Sequence, residues 1–193
     1  MNIPTENKPR WERRKDERPQ ELLAAALDLF VDKGFAATRL NDVAARAGVS
    51  KGTLYLYFTN KEDLFKAVVR ENLVPLLDEA EALIDSFDGH SADLFRDIML
   101  GWWQRIGDTK LSGITKLMMA ESGNFPELAQ FYHKEMIVRG NAMISRILER
   151  GVARGEFRAI DPHLTTQAIN SARITSPIRS KRGFSMAEDI VGV

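Results

Sequence analysis

The sequence predicts an all-α protein, with a small N-terminal three-helix domain joined by a long helix to a larger C-terminal helical bundle. Three observations carry that prediction. Apolar residues recur at three- and four-residue spacing through almost every segment. No stretch alternates apolar and polar residues for long enough to make a sheet. Helix stop and start signals, among them Gly34, Gly48, Gly155 and Asp161-Pro162, divide the chain at intervals that suit helices.

The elements follow in order. Pro19 stands where a first helical residue is favoured, and Leu22, Leu23, Ala26, Leu27, Phe30 and Val31 form one apolar stripe that Gly34 ends. Thr38 is a good N-cap for a second helix with Leu40, Val43, Ala44 and Ala47 facing inward; Gly48 closes it. Ser50 caps a short third helix carrying Leu54 and Phe58. Thr59 and Glu62 have capping-box spacing and open a long fourth helix, which Pro75 should kink or divide. "DGHSAD" reads as a loop, followed by helices in "LFRDIMLGWWQRIG" and "KLSGITKLMMAES". Asn124, Pro126 and Glu127 mark a further start, and that helix runs to Gly155. Asp161-Pro162 opens the last helix, and from about Ser171 the stripe gives way to Ser, Pro, Gly and Arg.

Composition narrows the function. A chain of 193 residues makes one large domain or two small ones and buries a real core. No apolar run approaches 18 residues, so no membrane span is expected, and "MNIPTENKPRWERRKDERPQ" lacks the apolar stretch of a secretory signal. There are no cysteines, which excludes disulfides, thiolate metal sites and cysteine nucleophiles and fits a cytoplasmic protein. The formal net charge is +0, so charge alone does not announce a nucleic-acid partner; a local motif must do so.

"AGVSKGTLYLYF", residues 47–58, is that motif. Three short helices with a Gly-containing turn between the second and third make a helix-turn-helix candidate. Helix N-termini at Thr38, Ser50 and Thr59 offer free backbone N–H groups to phosphate. Gly52 permits close approach of a sugar-phosphate backbone, and Lys51 and Thr53 carry groups suited to base edges or phosphates. Tyr55 and Tyr57 can pack a ring while the hydroxyl reaches an oxygen. The run "KPRWERRKDER" reads either as an arm for the minor groove or as a solvated tail; its nearly balanced charge favours the tail.

The stretch from Leu22 to Phe65 resembles the DNA-binding domain of TetR-type bacterial transcriptional regulators. The resemblance lies in the Phe30-to-Gly34 helix end, the Ala47-Gly48-Val49-Ser50 turn and the Leu54-Tyr55-x-Tyr57-Phe58 helix. It implies that Ser50, Lys51, Gly52, Thr53, Tyr55 and Tyr57 sit on the DNA-facing helix and that Thr38 and Lys61 touch phosphates. Arg39 stands where that family often has a second threonine and is included with the DNA-binding residues. Residues 125–158 resemble the C-terminal domain of one large subgroup, but the two apolar helices that normally follow are not matched beyond Ile169.

The resemblance also implies a C-terminal bundle that binds a small-molecule effector and forms a homodimer. Phe95, Ile98, Met99, Trp102, Trp103, Ile106, Met118, Met119, Phe131, Tyr132 and Met136 supply apolar surface for such a pocket, with ordinary core packing as the competing reading of each. His90, His133 and His163 lack metal-ligand spacing, and neither a Gly-rich phosphate loop nor a nucleophile elbow occurs. The expected domains are therefore a flexible tail (1–18), a helix-turn-helix domain (19–66), a ligand-binding and dimerisation domain (67–170) and a poorly ordered tail (171–193). The expected function is a repressor released from a pseudo-palindromic double-stranded operator by a small apolar or amphipathic ligand, without catalytic residues, metal or cofactor. A ligand-independent DNA-binding or architectural factor is the alternative.

Overall fold

The computed structural model describes residues 10–175, all helix and connection with no strand among them. The expectation for residues 176–193 lies outside the described residues. Two compact units emerge: residues 10–71 with Gly113–Leu128, and Asn72–Ser112 with the chain from Ala129 onward. The stretch Gly113–Leu128 is thus grouped with the N-terminal helices, although the sequence places it inside the C-terminal domain.

The first unit holds α1 (Arg10–Lys33), α2 (Leu40–Arg46), α3 (Lys51–Tyr55), α4 (Lys61–Asn72) and nearly all of α7 (Ser112–Glu121). Helix α1 begins at Arg10, within the stretch expected to be a tail, and carries Pro19 in its interior. The run of Arg, Glu and Lys ahead of Pro19 favours helix, while the proline interrupts the ladder locally, since it lacks a backbone donor and its ring crowds the carbonyl four residues back. Phe30, Phe35 and Phe65 are fully buried and pack ring against ring at 5.4–5.6 Å, with Phe125 edge-on to Phe35 at 4.7 Å. Such pairs add about 0.5–1.5 kcal/mol each beyond the area they bury. Val31 lies so close to Gly113 that a Cβ there would sit 2.6 Å from its methyl group, so a small residue is required where α7 meets α1.

Two caps differ from expectation. Thr38 is 1% exposed, and its hydroxyl donates inward to the carbonyls of Leu29 and Gly34 at 3.1 and 2.7 Å. Arg39 therefore takes the N-cap position of α2, without a side-chain cap bond. At α4 the cap is Asn60, whose Oδ1 accepts the Asp63 amide at 2.7 Å, while Asp63 reaches back to the Thr59 amide at 3.2 Å. The cap thus lies one residue later than Thr59, and the backward bond goes to the residue before the cap rather than to the cap's own amide.

The second unit holds α5 (Val74–Ser86), α6 (Ser91–Trp102), α8 (Pro126–Tyr132) in part, α9 (Arg139–Ala153) and α10 (Pro162–Thr175). Pro75 divides the long helix as its missing donor requires: α4 ends at Asn72 and α5 begins at Val74 with the proline in its first turn. One face of α9 is tied to α5. Arg139 bonds Asp78 at 2.6 Å and Glu81 at 2.8 Å, Arg146 bonds Asp85, and Arg150 donates to the carbonyls of Phe87 and Gly89. Hydrogen bonds that Arg139 donates to Glu81 and then to Asp78 hold its guanidinium further into its charged form. Helix α6 widens to π geometry over Trp103–Gly107, and α8 does so over His133–Val138 before continuing as α9. Asp161 caps α10 through the amides of His163 and Leu164 at 2.8 and 3.0 Å. The helix reaches Thr175, past the Ser171 boundary expected for the tail.

Candidate nucleic-acid interface

The turn before α3 is built from backbone chemistry. Gly48 has φ +67°, a conformation that favours glycine, and the Val49 amide returns to the Ala44 carbonyl at 2.9 Å to close α2. Ser50 then caps α3: its Oγ accepts the Thr53 amide at 3.0 Å and lies 2.9 Å from the Thr53 hydroxyl. Arg46 reaches Asp28 at 2.8 Å and ties α2 to α1. Beneath α3, Leu54 is fully buried and Phe58 nearly so, which fixes the face the helix turns outward.

That face carries Lys51, Gly52, Tyr55 and Leu56, all exposed, with Thr53 and Tyr57 half-buried beside them. The Lys51 ammonium lies 5.7 Å from the Tyr55 ring centroid, close enough for the ring to steady the charge. A Cβ added at Gly52 would meet only Ser50 Oγ, at 3.7 Å, so the backbone there is open to an approaching surface. Arg39 is exposed at the start of α2. The structure thus brings Arg39, Ser50, Lys51, Gly52, Thr53, Tyr55 and Tyr57 onto the same helix-turn-helix segment.

Two residues to which the resemblance gives phosphate contacts bond within the fold. The Thr38 side chain is enclosed and its backbone amide bonds the Phe35 carbonyl at 3.3 Å, so neither donor faces outward. Lys61 donates to the carbonyls of Phe35 and Ala36 at 2.7 and 3.1 Å, with its ammonium 4.5 Å from the Phe35 ring centroid. It thereby satisfies carbonyls beyond the end of α1. Partial burial lowers its pKa, against the raising influence of Glu62 and Glu121. Leu56, which the sequence motif leaves unassigned, is exposed on the side of α3 away from Leu54.

The candidate ligand residues divide. In the second unit Phe95, Ile98, Ile106, Tyr132 and Met136 are buried, while Met99, Trp102, Trp103 and Phe131 are half-buried. The Trp102 and Trp103 rings lie 6.5 Å apart at 43°. Met118 is buried on α7 in the first unit, and Met119 on the same helix is 52% exposed, which removes it from any enclosed lining. His90 caps α6 by accepting the Ala92 amide. Among the described residues no group of three or more His, Asp or Glu is placed to hold a metal, and no helix is long and apolar enough to cross a membrane.

Comparison with known proteins agrees with this architecture. Residues 22–68 match the family described as bacterial regulatory proteins, tetR family, and residues 95–174 match the C-terminal domain of AefR-like transcriptional repressors. The chain is 28% identical to the fatty acid metabolism regulator protein of Bacillus subtilis, over 80% of each chain. It is 26% identical to the transcriptional repressor KstR2 of Mycolicibacterium smegmatis, over 91% of this chain and 85% of that one. The fold is similar to that of the transcriptional regulator FadR from Bacillus subtilis in complex with stearoyl-CoA, with a TM-score of 0.73, 22% identity, and coverage of 90% of this chain and 95% of that one.

Proposed function

The chain belongs to the TetR family of bacterial transcriptional regulators, and we propose that it is a repressor which leaves its operator when an acyl-chain ligand enters the C-terminal unit. It is a DNA-binding, ligand-responsive regulator. The observation that carries the reading is the outward face of α3, where a capped helix presents a cation, a bare backbone and an exposed tyrosine above a buried leucine.

In this reading α3 enters the major groove. Lys51 and Tyr55 face base edges and phosphates, and Arg39 meets the backbone from the start of α2. Two copies related by a two-fold axis read a pseudo-palindrome with half-sites about 34–36 Å apart. Phe95, Ile98, Ile106, Tyr132 and Met136 are buried apolar groups on α6, α8 and their π segments, and π segments recur at functional sites. The acyl class is suggested by the similarity to a fatty acid metabolism regulator and to a structure holding stearoyl-CoA. Ligand favours a conformation whose two heads no longer match the half-site spacing.

Titration with acyl-CoA thioesters and free fatty acids of increasing chain length tests this. The expected result is a chain-length-dependent change in the fluorescence of Trp102 and Trp103, together with operator affinity lowered about 5- to 150-fold. Unaltered operator affinity across the series would overturn ligand release while leaving DNA recognition intact.

A further inference from the structure

Leu56 is 82% exposed, the highest value among the exposed large hydrophobic residues described. Its backbone remains helical at φ −71° and ψ −23°, and its amide bonds the Thr53 carbonyl at 3.2 Å, so it keeps the phase of α3. At about 100° per residue it lies roughly 200° round the axis from Leu54, and Gly52 lies one turn before it on the same side. The outermost line of the helix is therefore a glycine followed by a leucine. An isobutyl group held in water on a reading helix has no folding role, since nothing of the core lies on that side.

We propose that Leu56 is a specificity-determining residue that packs against the 5-methyl group of thymine in the major groove. This rests on the reading of α3 as the DNA-facing helix. In the major groove the thymine methyl is the apolar feature that distinguishes one base pair's edge, and apolar side chains read it by contact. Gly52 lets the helix backbone approach closely, which is what a short aliphatic side chain needs to reach the groove floor. Tyr55 and Lys51 stand together to one side of it and supply the polar contacts that orient the helix. Leu56 then selects for thymine at one position in each half-site and disfavours cytosine, which presents an amino group and no methyl.

The test replaces each thymine of the protected site, one at a time, with uracil, which removes the methyl and leaves every hydrogen-bonding group. Affinity is measured for the wild-type protein and for Leu56→Ala, a change at an exposed position. The expected result is one thymine per half-site at which uracil weakens wild-type binding about three- to tenfold, with the variant indifferent to the same replacement. Equal uracil effects in both proteins, or none in either, overturn the assignment of Leu56. Absence of any protected site in the wild type is a different result: it overturns the DNA-facing reading of α3 itself.

Discussion

Gly52→Leu is expected to abolish operator binding while leaving the protein folded. In the free protein the new side chain has room, because the nearest atom to a Cβ at this position is Ser50 Oγ at 3.7 Å. The backbone is strain-free for an L residue, since among the described residues positive φ occurs at Gly34, Gly48 and Gly155 and not at Gly52. Leucine also favours helix over glycine by up to about 1 kcal/mol, so thermal stability should hold or rise slightly. On DNA the same side chain stands between the helix and the groove. Each base contact is worth about 1–3 kcal/mol, so displacement that breaks two of them lowers affinity about 30-fold or more. Fluorescence anisotropy on a labelled operator, beside a circular-dichroism melt, separates the two effects. Wild-type affinity in a folded Gly52→Leu protein would show that α3 does not approach DNA on this side.

Phe65→Ala is expected to remove DNA binding by the opposite route. The ring is fully buried and packs on Phe30 at 5.4 Å and on Phe35 at 5.6 Å. Truncation leaves a cavity in the middle of the aromatic cluster and should cost about 3–5 kcal/mol. That is a large share of the 5–15 kcal/mol typical of a folded domain, so the melt should shift well downward and α3 should lose its support. An unchanged melting transition would contradict the view that this cluster holds the first unit together. The two variants form a pair: one loses recognition with its fold intact, the other loses recognition because the fold fails.

Much of this was legible from single residues. Gly34 and Gly48 adopt positive φ where the apolar stripes stop, Ser50 caps α3, Asp161 caps α10, and Pro75 divides the long helix. Each is a local rule with a local cause. The misplacements were of another kind. Thr38 has the right chemistry for an N-cap, yet its hydroxyl finds the Leu29 carbonyl nine residues back, a partner that exists only once α1 and α2 have packed. Lys61 looks free on a helix's first turn but is drawn to carbonyls at Phe35 and Ala36. The grouping of Gly113–Leu128 with the N-terminal helices rests on Val31 and Phe35 meeting Gly113 and Phe125, contacts that no periodicity encodes. The π segments at Trp103–Gly107 and His133–Val138 were equally silent, since one widened turn barely disturbs an apolar stripe. For the site the same division holds: the segment around α3 is readable as a motif, while the exposure of Leu56 is seen only in the folded structure.

The most direct test of the central claim is a footprint of the purified protein on the DNA flanking its own gene, repeated over a range of salt concentrations. The account predicts a symmetric protected site whose two halves lie about one helical turn apart, with affinity that falls steeply as salt rises. Salt-sensitive binding without a protected sequence, or no binding at low salt, would contradict it.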